Sequence, residues 1–260
     1  MINKIIYCVL LNKWHNVEDI KDLETKLKSQ NIPKFSILDF IVLTNRKDVS
    51  LPNLEVIFID TNSSGVLLNH SLDIAQKRGY DYYFKLDADD NPLPNRVVSQ
   101  LKCMELNPDK VFFSTALKLK KINNPDYRLF RIYPEKPSLY HYLINISFAN
   151  CSLAINLKIF SGNKFKTTPF LEDKQFFSIE ENFSKIFNQP EILVEYQLND
   201  KARASSLFAL KNFFYDLRLI AKLKPMFLQF YFLAIVVFCF RLLLPIQIVR
   251  KIRDNYFQSK

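Results

Sequence analysis

An α/β fold, with a mostly parallel mixed sheet, flanking helices and a C-terminal hydrophobic helical tail, is what three features of this sequence predict. Short apolar runs rich in β-branched and aromatic residues alternate with segments of helical period. Each run stops abruptly in polar residues, which is how parallel strands bring their C-terminal ends to one ligand-facing edge. Nearly all of the net charge is confined to the end of the chain and interleaved there with long apolar stretches.

A chain of 260 residues can bury one substantial core, so the expected organisation is one main domain over 1–205 and a tail over 206–260. Hydrophobic content of 48%, with 24 Phe and only 3 Gly, excludes a disordered or loop-rich chain. Cys8, Cys103, Cys151 and Cys239 lack C-x-x-C spacing and read as buried apolar side chains in a reducing compartment. His15, His70 and His141 lack the spacing of a zinc site. Residues 201–260 hold eleven Lys/Arg against Asp216 and Asp254, which is nine of the ten net positive charges. Basic residues among apolar ones suit an anionic membrane surface, whereas nucleic acid calls for basic residues among polar ones, so no nucleic acid partner is expected.

Taken in order, Ile5–Leu11 is a continuous apolar run and reads as a strand rather than a signal peptide. A helical pattern follows from Val17 to Leu27. Phe40–Leu43 is a second strand, ending at Thr44-Asn45-Arg46, and Leu54–Ile59 a third, ending at Asp60-Thr61-Asn62. Gly65 gives the backbone freedom to turn into a helix over 66–78. Tyr80–Asp90 is an aromatic run ending in carboxylates. A helix is expected over Pro94–Leu106 and a strand over Lys110–Ser114. Leu117–Pro137 is dense in Lys, Arg and Tyr. Asn150–Ile155 reads as a strand, Asn156–Phe160 as the start of a helix ended by Gly162, and Leu193–Leu198 as a late strand. A helix over 207–223 is broken by Pro225, and Met226–Phe240 is almost wholly apolar.

The chemistry concentrates at the fourth run. Asp87, Asp89 and Asp90 stand at the tip of a buried strand, with Asn91-Pro92 turning the chain immediately afterwards. In isolation such a stretch is also an ordinary polar turn that caps the next helix. Carboxylates this close raise one another's pKa unless a cation or donor groups neutralise them. A hard divalent ion with oxygen ligands, joined by a diphosphate, is the simplest neutraliser.

The surrounding residues narrow that choice. Asn69-His70-Ser71, Ala75, Gly79-Tyr80-Asp81-Tyr82, Leu86-Asp87-Ala88-Asp89-Asp90, Pro94 and Gln100 occur in the order found in family 2 glycosyltransferases, whose D-x-D block this stretch resembles. Phe160, Gly162 and Phe165 and then Glu172-Asp173 continue the likeness, which covers about residues 1–205. The resemblance implies a GT-A fold, Rossmann-like, and a nucleotide-diphospho-sugar donor. It implies Mg2+ or Mn2+ held by Asp87 and Asp89, with Asp90 orienting donor hydroxyls. It also implies nucleotide contacts from Asn12, Asn45 and Asn69. At the second signal, Asp173 would be the base that takes the acceptor proton in an inverting transfer, with Glu172 beside it as a positioning group. The family's acidic pair after the second strand is replaced here by Thr44-Asn45-Arg46, and an Arg following Tyr196 is replaced by Gln197. Lys201 or Arg203 would supply charge to the leaving group.

Applied to the tail, the likeness implies a lipid-linked saccharide acceptor in surface polysaccharide synthesis. The site would be the cytoplasmic face of a bacterial inner membrane, with anionic lipid as a partner. The apolar run is shorter than the roughly 20 residues of a span, and Arg241 would fall within it. A helix lying on or dipping into the surface is therefore preferred to a single pass. The alternative reading is a catalytically inactive, membrane-attached relative acting as a binding or scaffold protein.

Overall fold

A computed structural model describes residues 2–13, 15, 22–121, 124–144, 147–165, 167, 176, 184–198, 206–223, 228–244 and 248. Among these, nine strands form one sheet in the order β3-β2-β1-β4-β8-β6-β9-β5, with β7 on the outside of β6. The strands are β1 (Asn3–Leu11), β2 (Ser36–Thr44), β3 (Glu55–Phe58), β4 (Tyr82–Asp87), β5 (Asn91–Pro92), β6 (Phe112–Lys121), β7 (Asn124–Arg131), β8 (Ala154–Asn156) and β9 (Ile186–Leu198). Strands β3, β2, β1 and β4 run parallel, so their C-terminal ends arrive at one edge. Strand β8 is antiparallel to β4 and to β6, after which β6 and β9 run parallel.

Helices cover both faces, and this is why β1 is apolar almost throughout. Alternate residues of β1 feed two cores. Ile6, Cys8 and Leu10 pack with α2 (Ser64–Lys77), and Ile5, Tyr7, Val9 and Leu11 pack with α1 (Leu23–Lys28) and α3 (Arg96–Leu106). Helix α2 is capped by Ser63, whose hydroxyl accepts from the Val66 N–H at 3.4 Å. Gly65 therefore sits inside its first turn without a left-handed φ. The backbone freedom of glycine is used at the other end, where Gly79 at φ 70° lets the Gly79 and Tyr80 amides close back onto Gln76 and Ala75.

Several expectations from the pattern are corrected. The second strand is longer than its apolar core, Leu117–Pro137 contains the β6–β7 hairpin, and the late strand runs back to Ile186 through Pro190. Pro190 is accommodated because the β6–β9 register shifts between Thr115 and Ala116, leaving it outside the ladder. Residues Asn150–Ser152 form a 3-10 turn before β8, and Leu157–Ile159 form a turn where a helix was expected. A short α4 (Leu139–Leu143) had no pattern to announce it.

The C-terminal residues form α5 (Ser206–Leu223) and α6 (Leu228–Leu243), packed on each other through stacked Phe213 and Phe238, whose rings are 4.5 Å apart. A hydrophobic tail standing apart from the domain is not what is seen, because Leu219, Ile220 and Ala234 are buried in the same core as Ile6 and Leu10. The 16 residues of α6 rise only about 24 Å, short of a hydrocarbon core of about 30 Å. Among the described residues no helix is long and apolar enough to cross a membrane.

Candidate active site

The loops after β1, β2, β3 and β4 meet at the shared edge and are stitched to one another. The Asn12 backbone N–H donates to His15 Nδ1 at 2.8 Å, which leaves Nε2 to carry the ring proton toward Asp89 Oδ1, 3.3 Å away. The Asn45 amide donates to the Thr61 carbonyl at 2.9 Å, Lys13 donates to the Asn62 side chain at 2.6 Å, and Arg46 donates to the His15 carbonyl at 3.1 Å while also pairing with Asp48. Arg46 is thus engaged inside the loop system.

The three carboxylates at the tip of β4 stand in three different environments. Asp87 and Asp89 are each 30% exposed. Both Asp87 oxygens accept from Lys85 Nζ, at 2.7 and 2.8 Å. Burial would lift Asp89, yet the His15 ring and its own backbone amide hold it below the usual carboxylate value. Asp90 is completely buried. Burial, then the neighbouring charges of Asp87 and Asp89, push its pKa well above the usual carboxylate value. Its Oδ1 accepts from the Gln197 N–H at 3.1 Å, which ties the tip of β4 to the end of β9. Asp90 thus supports the tip from beneath, whereas the expectation had it orienting donor hydroxyls.

The other expected residues divide in the same way. Asn12 is buried and Asn45 half-buried, and the side-chain oxygen of each lies buried at this edge without a protein partner, as does Asp90 Oδ2. Buried acceptors of this kind are uncommon in folded proteins and are accounted for by a ligand or ordered water. Asn69 is different, because both ends of its amide bond the Phe165 backbone, each at 2.8 Å. Phe165 in turn stacks on Phe176 at 3.8 Å. Asn69 is thus a tie between α2 and a distant segment, with one of its two amide hydrogens and one lone pair of its oxygen engaged there. Trp14, Glu172, Asp173, Lys201 and Arg203 lie outside the described residues.

Three residues that hold the tip together were not singled out from the sequence. Lys85 has a side chain only 3% exposed, and His15 one that is 4% exposed. Arg96 is fully buried and grips the Lys85 carbonyl at 2.7 Å, the Tyr7 hydroxyl at 2.7 Å and Gln100 Oε1 at 2.9 Å, with its guanidinium over the Tyr7 ring. The signal for Lys85 was present, since it precedes Asp87 by two residues and strand alternation puts both on one face. For Arg96 there was none, because an arginine in a helix reads as solvent-exposed.

Among the described residues no three His, Cys, Asp or Glu side chains converge as a closed metal centre. Two partly exposed carboxylates above a buried third fit a more open arrangement. Magnesium-like ions are held by one or two carboxylates together with substrate phosphates and water. The donor set at Asp87 and Asp89 suits such an ion.

No protein-family model matches the sequence, and no curated protein does either. Solved structures do match in fold. S. aureus TarS 1–349 in complex with UDP superposes with a TM-score of 0.58 at 16% identity, over 83% of this chain and 64% of that one. In complex with UDP-GlcNAc, the same TarS fragment gives 0.54 at 14%, over 90% of this chain and 81% of that one. The mannosyltransferase PcManGT from Pyrobaculum calidifontis, in complex with GDP-Man and Mn2+, gives 0.55 at 12%, over 91% and 73%. Against S. aureus TarS itself the match spans only 39% of the longer chain. The chain therefore shares the fold of TarS and of the mannosyltransferase PcManGT.

Proposed function

We propose that the chain is an inverting glycosyltransferase of the family 2 type. It moves a sugar from a nucleotide-diphospho-sugar onto a lipid-linked saccharide during surface polysaccharide synthesis, at the cytoplasmic face of a bacterial inner membrane. The observation that carries this reading is the acid tip of β4, set among the loops that follow β1, β2 and β3. The similar structures bind UDP, UDP-GlcNAc, and GDP-Man with Mn2+.

In this reading the unpartnered oxygens of Asn12 and Asn45 accept from N–H or hydroxyl groups of the base and ribose. Asp87 and Asp89 hold Mg2+ or Mn2+, which when bound supplies positive charge to the departing diphosphate. The buried Asp90 keeps the tip in register with β9 through the Gln197 amide. Asp173, positioned by Glu172, removes the proton of the acceptor hydroxyl as that oxygen attacks the anomeric carbon from the face opposite the diphosphate, a contribution of about 10²–10⁴ in rate.

The membrane enters through α6. Leu228, Phe232, Ile235, Leu242 and Leu243 are all exposed, with Phe232 at 69% and Leu243 at 80%, and they lie on one side of the helix. An exposed apolar stripe in the region that carries nine of the ten net positive charges fits an anionic lipid surface. Vesicles containing phosphatidylglycerol are expected to capture the protein where neutral vesicles do not.

Calorimetry with UDP, GDP and dTDP, with and without Mn2+, tests the donor site. At least one nucleotide is expected to bind in the presence of metal. Asp89→Asn should lose that binding together with transfer, while Asp173→Asn keeps binding and loses transfer. One observation favours the inactive relative as a second reading: the two exposed carboxylates are already engaged, Asp87 by Lys85 and Asp89 by His15. A wild-type protein that binds none of the nucleotides would establish that reading in place of the first.

A further inference from the structure

Among the described residues, Lys85 is the buried cation at the acid tip, and its presence works against a bound metal ion. Its ammonium lies 2.7 and 2.8 Å from the two oxygens of Asp87, so it occupies both faces of that carboxylate that a metal ion would use. The pair is written into the strand, because residues two apart on β4 share a face. Lys85 has little room to leave, being 3% exposed in its side chain and held at its carbonyl by Arg96 at 2.7 Å. With both oxygens of Asp87 matched by Lys85, an incoming ion finds fewer free carboxylate oxygens at the tip than three acids would otherwise offer.

We propose that Lys85 is the resident counter-ion of the acid tip, and that it makes metal binding conditional on the nucleotide. The bare protein gives a divalent ion little net negative charge, and the diphosphate brings the remainder. Metal and nucleotide are therefore taken up together, and the tip is not loaded with metal beforehand. This inference rests on the donor-site reading above and adds an order of binding to it.

The test follows free Mn2+ by its paramagnetic resonance signal as protein is added, first with Mn2+ alone and then with Mn2+ and UDP or GDP. Wild type, Lys85→Met and Lys85→Arg are compared. Lys85→Met is expected to bind Mn2+ alone at least tenfold more tightly than wild type, while Lys85→Arg stays like wild type because the charge is kept. Wild type should gain at least tenfold in Mn2+ affinity when the nucleotide is added. Equal affinities of wild type and Lys85→Met for Mn2+ alone would overturn the proposal. Should Lys85→Met not fold, as judged by circular dichroism, the wild-type arm decides: Mn2+ bound as tightly without nucleotide as with it overturns the proposal. Absence of nucleotide binding by wild type in the presence of Mn2+ sinks the donor-site reading instead, and the metal-only comparison of the variants still stands.

Discussion

The acid tip of β4 and the outer side of α6 are opposite solutions to the same constraint. At the tip, charge that would be solvated on an ordinary surface is drawn inward and met from within, Asp87 by a buried Lys85, Asp89 by the ring of a buried His15 and Asp90 by the Gln197 N–H. On α6, side chains that would ordinarily be buried are left facing water, with Phe232, Ile235, Leu242 and Leu243 exposed beside a fully packed Ala234. The first region is built to hold a fixed geometry against strong repulsion, which costs stability and demands a scaffold. The second gives up nothing in geometry and leaves surface for a partner. Rigidity should thus be concentrated under the tip and dispensable on the outer side of α6.

The largest expected effect removes the scaffold. Arg96→Met strips the Lys85 carbonyl, the Tyr7 hydroxyl and Gln100 Oε1 of a shared donor in a place water does not reach. Each buried group left unpaired costs about 1–3 kcal/mol, so a loss of about 4 kcal/mol is expected, read from urea denaturation. Nucleotide binding should weaken as well, at protein concentrations where the variant is still folded. A variant with wild-type stability would mean that the tip does not depend on what lies beneath it.

That dependence marks the limit of what the sequence conveys. The parallel half of the sheet was legible because β1, β2, β3 and β4 are apolar runs with polar stops, and those stops define the edge. The β6–β7 hairpin was hidden because β7 reverses the usual alternation at its end, with Phe130 exposed and Arg131 buried. At the site, the acid triplet was visible as a triplet. That Asp90 would be buried against the Gln197 amide, and that Asn69 would tie to Phe165, are consequences of contacts 107 and 96 residues away along the chain. Periodicity carries no information at such distances. Arg96 and Lys85 were missed for a related reason, since a cation buried without exposure is the arrangement that composition argues against most strongly.

A pair of substitutions on the C-terminal helices sharpens the contrast. Ile220 on α5 is fully buried in the core shared with Ile6 and Leu10, so Ile220→Ala should cost about 3 kcal/mol. Phe232→Ser on α6 removes a side chain that is 69% exposed and should change stability by less than about 0.5 kcal/mol. The same change should reduce capture by anionic vesicles severalfold. Equal destabilisation by the two would show that the outer side of α6 is covered within the protein, and the assignment of that side to a lipid surface would fail.

A smaller loss than that of Arg96→Met or Ile220→Ala lies on the flank of the tip, where charge is matched by charge but water reaches the partners. Glu195 on β9 is 8% exposed, and it receives Lys118 at 2.7 Å, Asn91 at 2.8 Å and also Lys120, whose side chain is 44% exposed. Burial alone would raise its pKa, but these donors prevail and bring it down to about 2 from the usual 4.5. A carboxylate whose pKa is lower in the folded state stabilises the fold above its unfolded value and loses that contribution as the pH falls through its folded one. Discounted for the water around both lysines, the contribution is about 1–2 kcal/mol. Glu195→Gln should therefore be less stable than wild type by that amount at pH 7, and the gap should narrow below pH 4.5 and close near pH 2. Denaturation curves at pH 7, 4 and 3 measure it. A gap that does not change with pH would mean the lysines hold Glu195 by shape and hydrogen bonding alone, and the flank would then belong with the packed scaffold rather than between the two extremes.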